Sequence, residues 1–196
     1  MKFKISPRVA LVIIAAIFVL PLAVAFLMYR GAIEYNPVET RNLGALVQPP
    51  VPVDLAALAP LGSTAANSEA LNKHWVVMHH VPKTCGDSCR ETVTSLRQVH
   101  RSTGRNQSRI RMVLVSKNPD PQQADELQSI YPVFRVVQMK PALSANFQKI
   151  PGSTEGSTYL IDPLGNIMMS YAAGADPNDL KKDLKRLLTW SKLDEY

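Results

Sequence analysis

The chain has 196 residues, enough for one domain of ordinary size and a short extra segment. Its 22 basic and 16 acidic residues give a formal charge of +6, but Lys2, Lys4, Arg8 and Arg30 flank a single apolar run, leaving 18 basic against 16 acidic residues, or +2, elsewhere. That excess is too small for the electrostatic footprint of a nucleic-acid-binding protein.

Residues 1–8 read as a short basic N-terminus, followed over 9–29 by VALVIIAAIFVLPLAVAFLMY, which contains no charge. Twenty-one residues at a rise of roughly 1.5 Å reach about 30 Å, the thickness of a bilayer's hydrocarbon layer, so the run predicts one transmembrane helix. Three cations precede it and only Arg30 follows closely, so the positive-inside bias leaves the N-terminus in the cytoplasm and exports the rest. Ala23-Val24-Ala25 is an A-x-A site that fits a cleaved signal instead; the apolar run continues past it through Phe26–Tyr29, which favours a retained anchor. In either case the expected location of the folded part is the extracytoplasmic side of the cytoplasmic membrane, a periplasmic setting.

Residues 30–66 are rich in proline and alanine, with Pro37, Pro49, Pro50, Pro52 and Pro60 breaking any long helix. They read as a tether, of which Leu43–Leu58 holds enough Leu and Val to lie along the folded domain as a strand-like arm. Residues 67–196 form the predicted domain.

From Trp75 onward short apolar strands alternate with amphipathic helices, the pattern of an α/β sandwich with a largely parallel sheet. WVVMHH (75–80) is a buried strand. A helix over 87–102 places Val93, Leu96 and Val99 or His100 inward and ends before Gly104. RIRMVLVS (109–116) is the second strand, a helix over 120–130 opens with Asp120 as N-cap and Pro121 at N1, and VFRVVQM is a weaker third strand. TYLIDPLGNIMMSY reads as two strands joined at Asp162–Asn166, and a helix over 177–190 is capped by Asp176, with Leu180, Leu184, Leu187 and Leu188 on one face. The arginines between Arg90 and Arg111 make the middle of the chain locally basic, a pattern of a solvated face or of docking on an acidic partner or anionic headgroups.

Both cysteines lie where the first strand meets the first helix, in HHVPKTCGDSCRETV. In open α/β sheets sites gather at the carboxyl ends of the strands. Two thiols three residues apart fit a redox pair, a soft-metal clip or a structural staple. A helix N-terminus favours the thiolate of Cys85, with Lys83 and Arg90 adding positive potential, which makes Cys85 the attacking thiol and a deeper Cys89 the resolving one. As a staple the pair is weak, since closing about five residues contributes only about 2 kcal/mol by chain entropy. Cu(I) prefers thiolates, accepts imidazole and needs few ligands, so Cys85, Cys89 and one of the adjacent histidines, His80 by preference over His79, form a candidate metal set. Met78 is read as core, and His74 and His100 as structural or surface residues. The closed four-ligand spacing of structural zinc is missing, as are a G-x-S-x-G elbow, a phosphate-binding glycine loop and H-E-x-x-H.

The order β-α-β-α-β-β-α is thioredoxin-like. The single anchor, Trp75 opening the strand, the C-x-x-x-C of Cys85–Cys89 and Tyr159-Leu160-Ile161-Asp162-Pro163 with Gly165 resemble the Sco/SenC family of membrane-anchored copper chaperones for cytochrome c oxidase, over roughly residues 43–190. The resemblance implies a thioredoxin-like sandwich, a central mixed sheet with flanking helices behind one transmembrane helix. It also implies a role in building the oxidase copper site by Cu(I) handling or thiol reduction, with a respiratory oxidase subunit or another exported cysteine-containing protein as partner. Two departures stand out. Arg90 occupies the position after the second cysteine where the family usually has proline. The histidine that supplies the family's third copper ligand, about five residues before the tyrosine, is missing from Gly152–Thr158. No proline stands before Thr158, where thioredoxins keep a cis-proline. A general exported thiol-disulfide oxidoreductase and a non-catalytic assembly scaffold remain alternatives.

Overall fold

The computed structural model describes residues 6–30, 41–55, 58, 61 and 71–191. Most of the expected tether, with Pro37 and Pro60, lies outside them, as do Lys2 and Lys4. The chain divides into two units, Met1–Arg41 and Asn42–Tyr196.

In the first unit α1 (Pro7–Tyr29) is one continuous helix. Ser6 caps it by accepting the Val9 N–H, and Pro7 sits at its start, where the missing N–H costs nothing. None of its residues is buried, its mean hydropathy over the best window is 3.0, and it is long and apolar enough to cross a membrane.

The second unit is built on a six-stranded sheet in the order β1-β6-β5-β2-β3-β4. Its strands are β1 (Ala45–Pro52), β2 (Trp75–His80), β3 (Ile110–Ser116), β4 (Phe134–Gln138), β5 (Thr158–Ile161) and β6 (Asn166–Tyr171); its helices are α2 (Asp87–Ser102), α3 (Pro121–Ile130), α4 (Pro141–Gln148) and α5 (Pro177–Trp190). The sheet is mixed, as the thioredoxin-like resemblance implies, and less parallel than the strand–helix alternation suggests. Only β2, β3 and β4 run parallel; β5 is antiparallel to β2 and β6, and β1 to β6. A tight turn can join only antiparallel neighbours. At Asp162–Asn166 the Asp162 carboxylate accepts the N–H groups of Leu164 and Asn166, and Gly165 takes the left-handed backbone (φ +90°) that closes the turn.

The expected arm is β1, hydrogen-bonded along β6, so the compact unit begins at Asn42. A buried carboxylate fixes its start. Asp183, on α5, accepts the N–H groups of Leu43 and Gly44 at 2.8 and 2.9 Å and the Tyr171 hydroxyl at 3.1 Å, while Arg186 reaches its other oxygen at 3.3 Å. Helix α4 is the element the alternation pattern misses: PALSANFQ has two buried residues, Leu143 and Phe147, too few for a clear apolar stripe.

Side-chain alternation along β2 sorts the core into two layers. Trp75, Val77 and Val81 face α2, α3 and α5 with Val93, Leu96, Leu127 and Leu184. Val76 and Met78 face α4 and the arm with Val51, Phe147 and Tyr159. This sorting decides where the two histidines at the end of β2 go.

Candidate functional site

Strand β2 ends at His80, and Val81 continues its ladder by donating its N–H to the Val115 carbonyl. The chain then turns through Pro82–Gly86 into α2. Gly86 is the N-cap and, having no side chain, supplies no cap to the first amides of α2. Cys85 precedes the cap and Cys89 lies in the first turn of the helix. Their Cα atoms are 5.1 Å apart and they form a disulfide.

Helix α3 clasps the loop. The Cys85 N–H donates to Gln123 Oε1 at 3.1 Å, and Arg90 meets Glu126 at 2.8 Å across the same two helices. The contact with Glu126 offsets part of the positive potential expected from Arg90. The expected order of depth is reversed: Cys85 is 5% exposed and Cys89 9%, and both belong to the core layer with Val93 and Leu127. Neither sulfur is freely accessible in the oxidised chain.

The two histidines point to opposite layers. His79 lies on the cysteine-bearing side, 1% exposed, and shares a 2.9 Å hydrogen bond with Thr158 Oγ1. Burial, and secondarily the neighbouring His80, lower its pKa from 6.5 to about 4. His80 turns toward α4, with its ring centroid 5.9 Å from that of Phe147, which in turn stacks on Tyr159 at 4.2 Å. Neither ring nitrogen of His80 has a well-formed hydrogen bond. Burial lowers its pKa first and Lys117 adds to this, while Glu155 and the Thr154 backbone pull the other way.

His80, the preferred third ligand, is therefore separated from the sulfurs by the sheet itself: odd-numbered residues of β2 face the cysteines and even-numbered ones do not. The segment where the family keeps its ligand histidine packs over the end of β2, with Ser157 accepting the His80 N–H and Gly156 donating to the His80 carbonyl. No group of three or more His, Cys, Asp or Glu among the described residues is placed to hold a metal ion. His80 lies on the face of β2 away from the cysteines, so Cys85, Cys89 and His80 do not come together as a three-ligand Cu(I) site.

His74 and His100 each hold hydrogen bonds away from the cysteines. His74 Nδ1 bonds the Asn72 carbonyl and its Nε2 accepts from Arg111, and His100, lowered by burial, bonds the Gln107 carbonyl. Gln123 and Thr158 contribute to the site without any signal in the sequence, since each acts through a partner distant along the chain.

Residues 75–191 match the family model described as the transmembrane-like, thioredoxin-like, C-terminal domain. The chain belongs to this family. Solved structures with the same fold include an SCO1/SenC family lipoprotein from Bacillus anthracis, 18% identical over 74% of this chain and 99% of that one (TM-score 0.53). A DsbF homologue from Corynebacterium diphtheriae is 15% identical over 79% and 98% (TM-score 0.53), and yeast Sco1 is 12% identical over 62% and 83% (TM-score 0.51). No curated protein matches in sequence. At these identities the shared property is the thioredoxin-like fold.

Proposed function

We propose that this member of the transmembrane-like, thioredoxin-like family is a membrane-anchored thiol-disulfide exchange protein whose Cys85–Cys89 pair serves exported cysteine-containing partners. The copper-site subunit of a respiratory oxidase is the partner class that the Sco/SenC resemblance favours. One observation carries the reading: the pair sits at the mouth of α2, whose first amides have no side-chain cap. Those amides are donors for a Cys85 thiolate once the bond is cut.

In the forward step a partner thiolate attacks one sulfur of the disulfide, forming a mixed disulfide and releasing the other sulfur as thiolate. The partner's second thiolate then closes its own disulfide, and both Cys85 and Cys89 leave reduced. Two electrons pass from partner to this chain; the reverse sequence delivers them to the partner.

The apolar helix α1 supports a single-pass anchor in the cytoplasmic membrane, and Lys2 and Lys4 ahead of it, with Arg8 in its first turn, support an extracytoplasmic domain. In this reading copper is cargo of the partner, because Cys85, Cys89 and His80 do not come together as a three-ligand site.

Equilibration with thiol redox buffers, followed by alkylation and mass analysis, tests the proposal. The expected potential lies between about −120 and −270 mV, the span of exchange-active pairs, and a value below about −300 mV indicates an inert staple. Cys85→Ser abolishes exchange. Stoichiometric, tight binding of Cu(I) by the reduced chain that is lost in His80→Ala overturns the assignment in favour of a copper carrier.

A further inference from the structure

Three polar contacts join α3 and its end to the chain around the cysteines. The Cys85 N–H donates to Gln123 Oε1 at 3.1 Å, Arg90 meets Glu126 at 2.8 Å, and Thr94 Oγ1 lies 2.8 Å from the Tyr131 hydroxyl. The first and third join uncharged groups and hold the seam. The second differs in kind: it is an ion pair whose side chains are 35% and 48% exposed, and pairs so exposed contribute little to stability. Its consequence lies in where it puts a charge.

Arg90 is the residue after Cys89, yet its guanidinium is engaged on α3. Gln123 and Glu126 are three residues apart on that helix, neighbours on one side with Cβ atoms about 5–6 Å apart. Since Gln123 touches the Cys85 amide, the cation held by Glu126 stands about one helical turn from that amide, within the sweep of a flexible arginine stem. Both sulfurs are buried, so a charge brought to them is weakly screened. Lys83, Asp87 and Glu91 are exposed near the same loop and form a fixed background when Arg90 or Glu126 is varied.

Oxidised, the two sulfurs carry no charge and Arg90 pairs with Glu126. Reduction adds an anion. A client dithiol passes two electrons and becomes a disulfide; of its two protons one goes to Cys89 as thiol and the other to solvent, leaving Cys85 as thiolate. Arg90 then stands between two anions, and the firmer the hold of Glu126, the less the cation stabilises the reduced form. We infer that Glu126 is a positioning residue of the exchange reaction, keeping Arg90 from the Cys85 thiolate and thereby lowering the midpoint potential of the pair. The role rests on the exchange reading, since an inert staple has no use for a tuned potential, yet the potential can be read whether or not clients react.

The full chain in detergent micelles, equilibrated with dithiothreitol or glutathione redox buffers and followed by alkylation and mass analysis, provides the test. At neutral pH Glu126→Gln is expected to raise the equilibrium constant for reduction about fivefold, an upward shift of about 20 mV, and to lose most of that gain in roughly 1 M salt. In an Arg90→Gln background the same replacement is expected to change the constant by less than about twofold, whereas Arg90→Lys, which keeps the cation, restores most of the gain. Far-ultraviolet dichroism and urea midpoints matching the wild type show that each variant is folded. A constant that Glu126→Gln leaves unchanged, or raises by the same factor with and without Arg90, overturns the inference. If these ratios hold while neither wild type nor variants exchange with a dithiol client peptide, the inference stands and the exchange reading falls.

Discussion

Lowering the pH from 7 to 4 is expected to remove about 3 kcal/mol of stability through His79 alone. The native imidazole is enclosed between β2, β5 and the α2 layer, and its pKa falls from 6.5 to about 4, burial being the main cause and His80 the lesser one. In the unfolded chain the group returns to its ordinary value. Between those two values the unfolded state binds the proton and the native state does not, so stability rises with pH across the window and is lost as pH falls through it. At about 1.4 kcal/mol per pH unit, a gap from 6.5 to about 4 amounts to about 3 kcal/mol. Urea melts of residues 42–196 at pH 7.5, 6.5, 5.5 and 4.5, followed by circular dichroism, give the slope. In His79→Gln, where the amide still reaches Thr158, the slope below pH 6.5 is expected to flatten by that amount even if the variant is less stable throughout. A slope unchanged from the wild type refutes the argument, because the lost stability then belongs to carboxylates elsewhere.

His80→Leu should raise stability by about 1 kcal/mol or more in the same melts at pH 7.5, since it removes two buried ring nitrogens that lack well-formed hydrogen bonds and leaves an apolar group against Phe147. Asp183→Asn is expected to cost about 2–4 kcal/mol, measured as a lower urea midpoint, because it weakens charge-assisted bonds from the Leu43 and Gly44 amides and Tyr171 at once. Gly44→Ala should destabilise too, by about 1–3 kcal/mol in the same assay, since a Cβ there would meet the Tyr171 ring at 2.6 Å. Reduction of Cys85–Cys89 is expected to lower the melting free energy by only about 2 kcal/mol, in keeping with a five-residue loop; a much larger loss would mark the bond as a structural staple.

The strands and helices whose signal is local were legible in the sequence. Asp120-Pro121 and Asp176-Pro177 announce α3 and α5 because cap and N1 proline act on adjacent residues, and both carboxylates accept the N–H two positions on. The CxxxC pair was legible for the same reason, and Leu43–Leu58 declared itself an arm by composition. Strand direction was not, because alternation of strand and helix does not say where a chain returns: the passage through α4 carries β5 to the far side of β2, where it runs antiparallel. The choice between His79 and His80 as the residue facing the cysteines was not legible. His79 and His80 must face opposite ways on a regular strand, but which one shares a layer with the cysteines depends on the register of Val81 and the turn after it. The Gln123 clasp spans 38 positions of sequence and had no local signature.

In the proposed exchange role, the burial of Cys85 and Cys89, 5% and 9% exposed, bears on which partners the pair would serve. A small diffusible thiol would make none of the contacts that hold the loop, such as that from the Cys85 amide to Gln123, and would exchange more slowly. A protein that offers its own backbone to the Cys85 amide, or its own carboxylate to Arg90, replaces the contacts that hold the loop shut as it opens it. Discrimination between legitimate clients and bulk reductant would then reside in the latch, with the chemistry at sulfur left unspecialised.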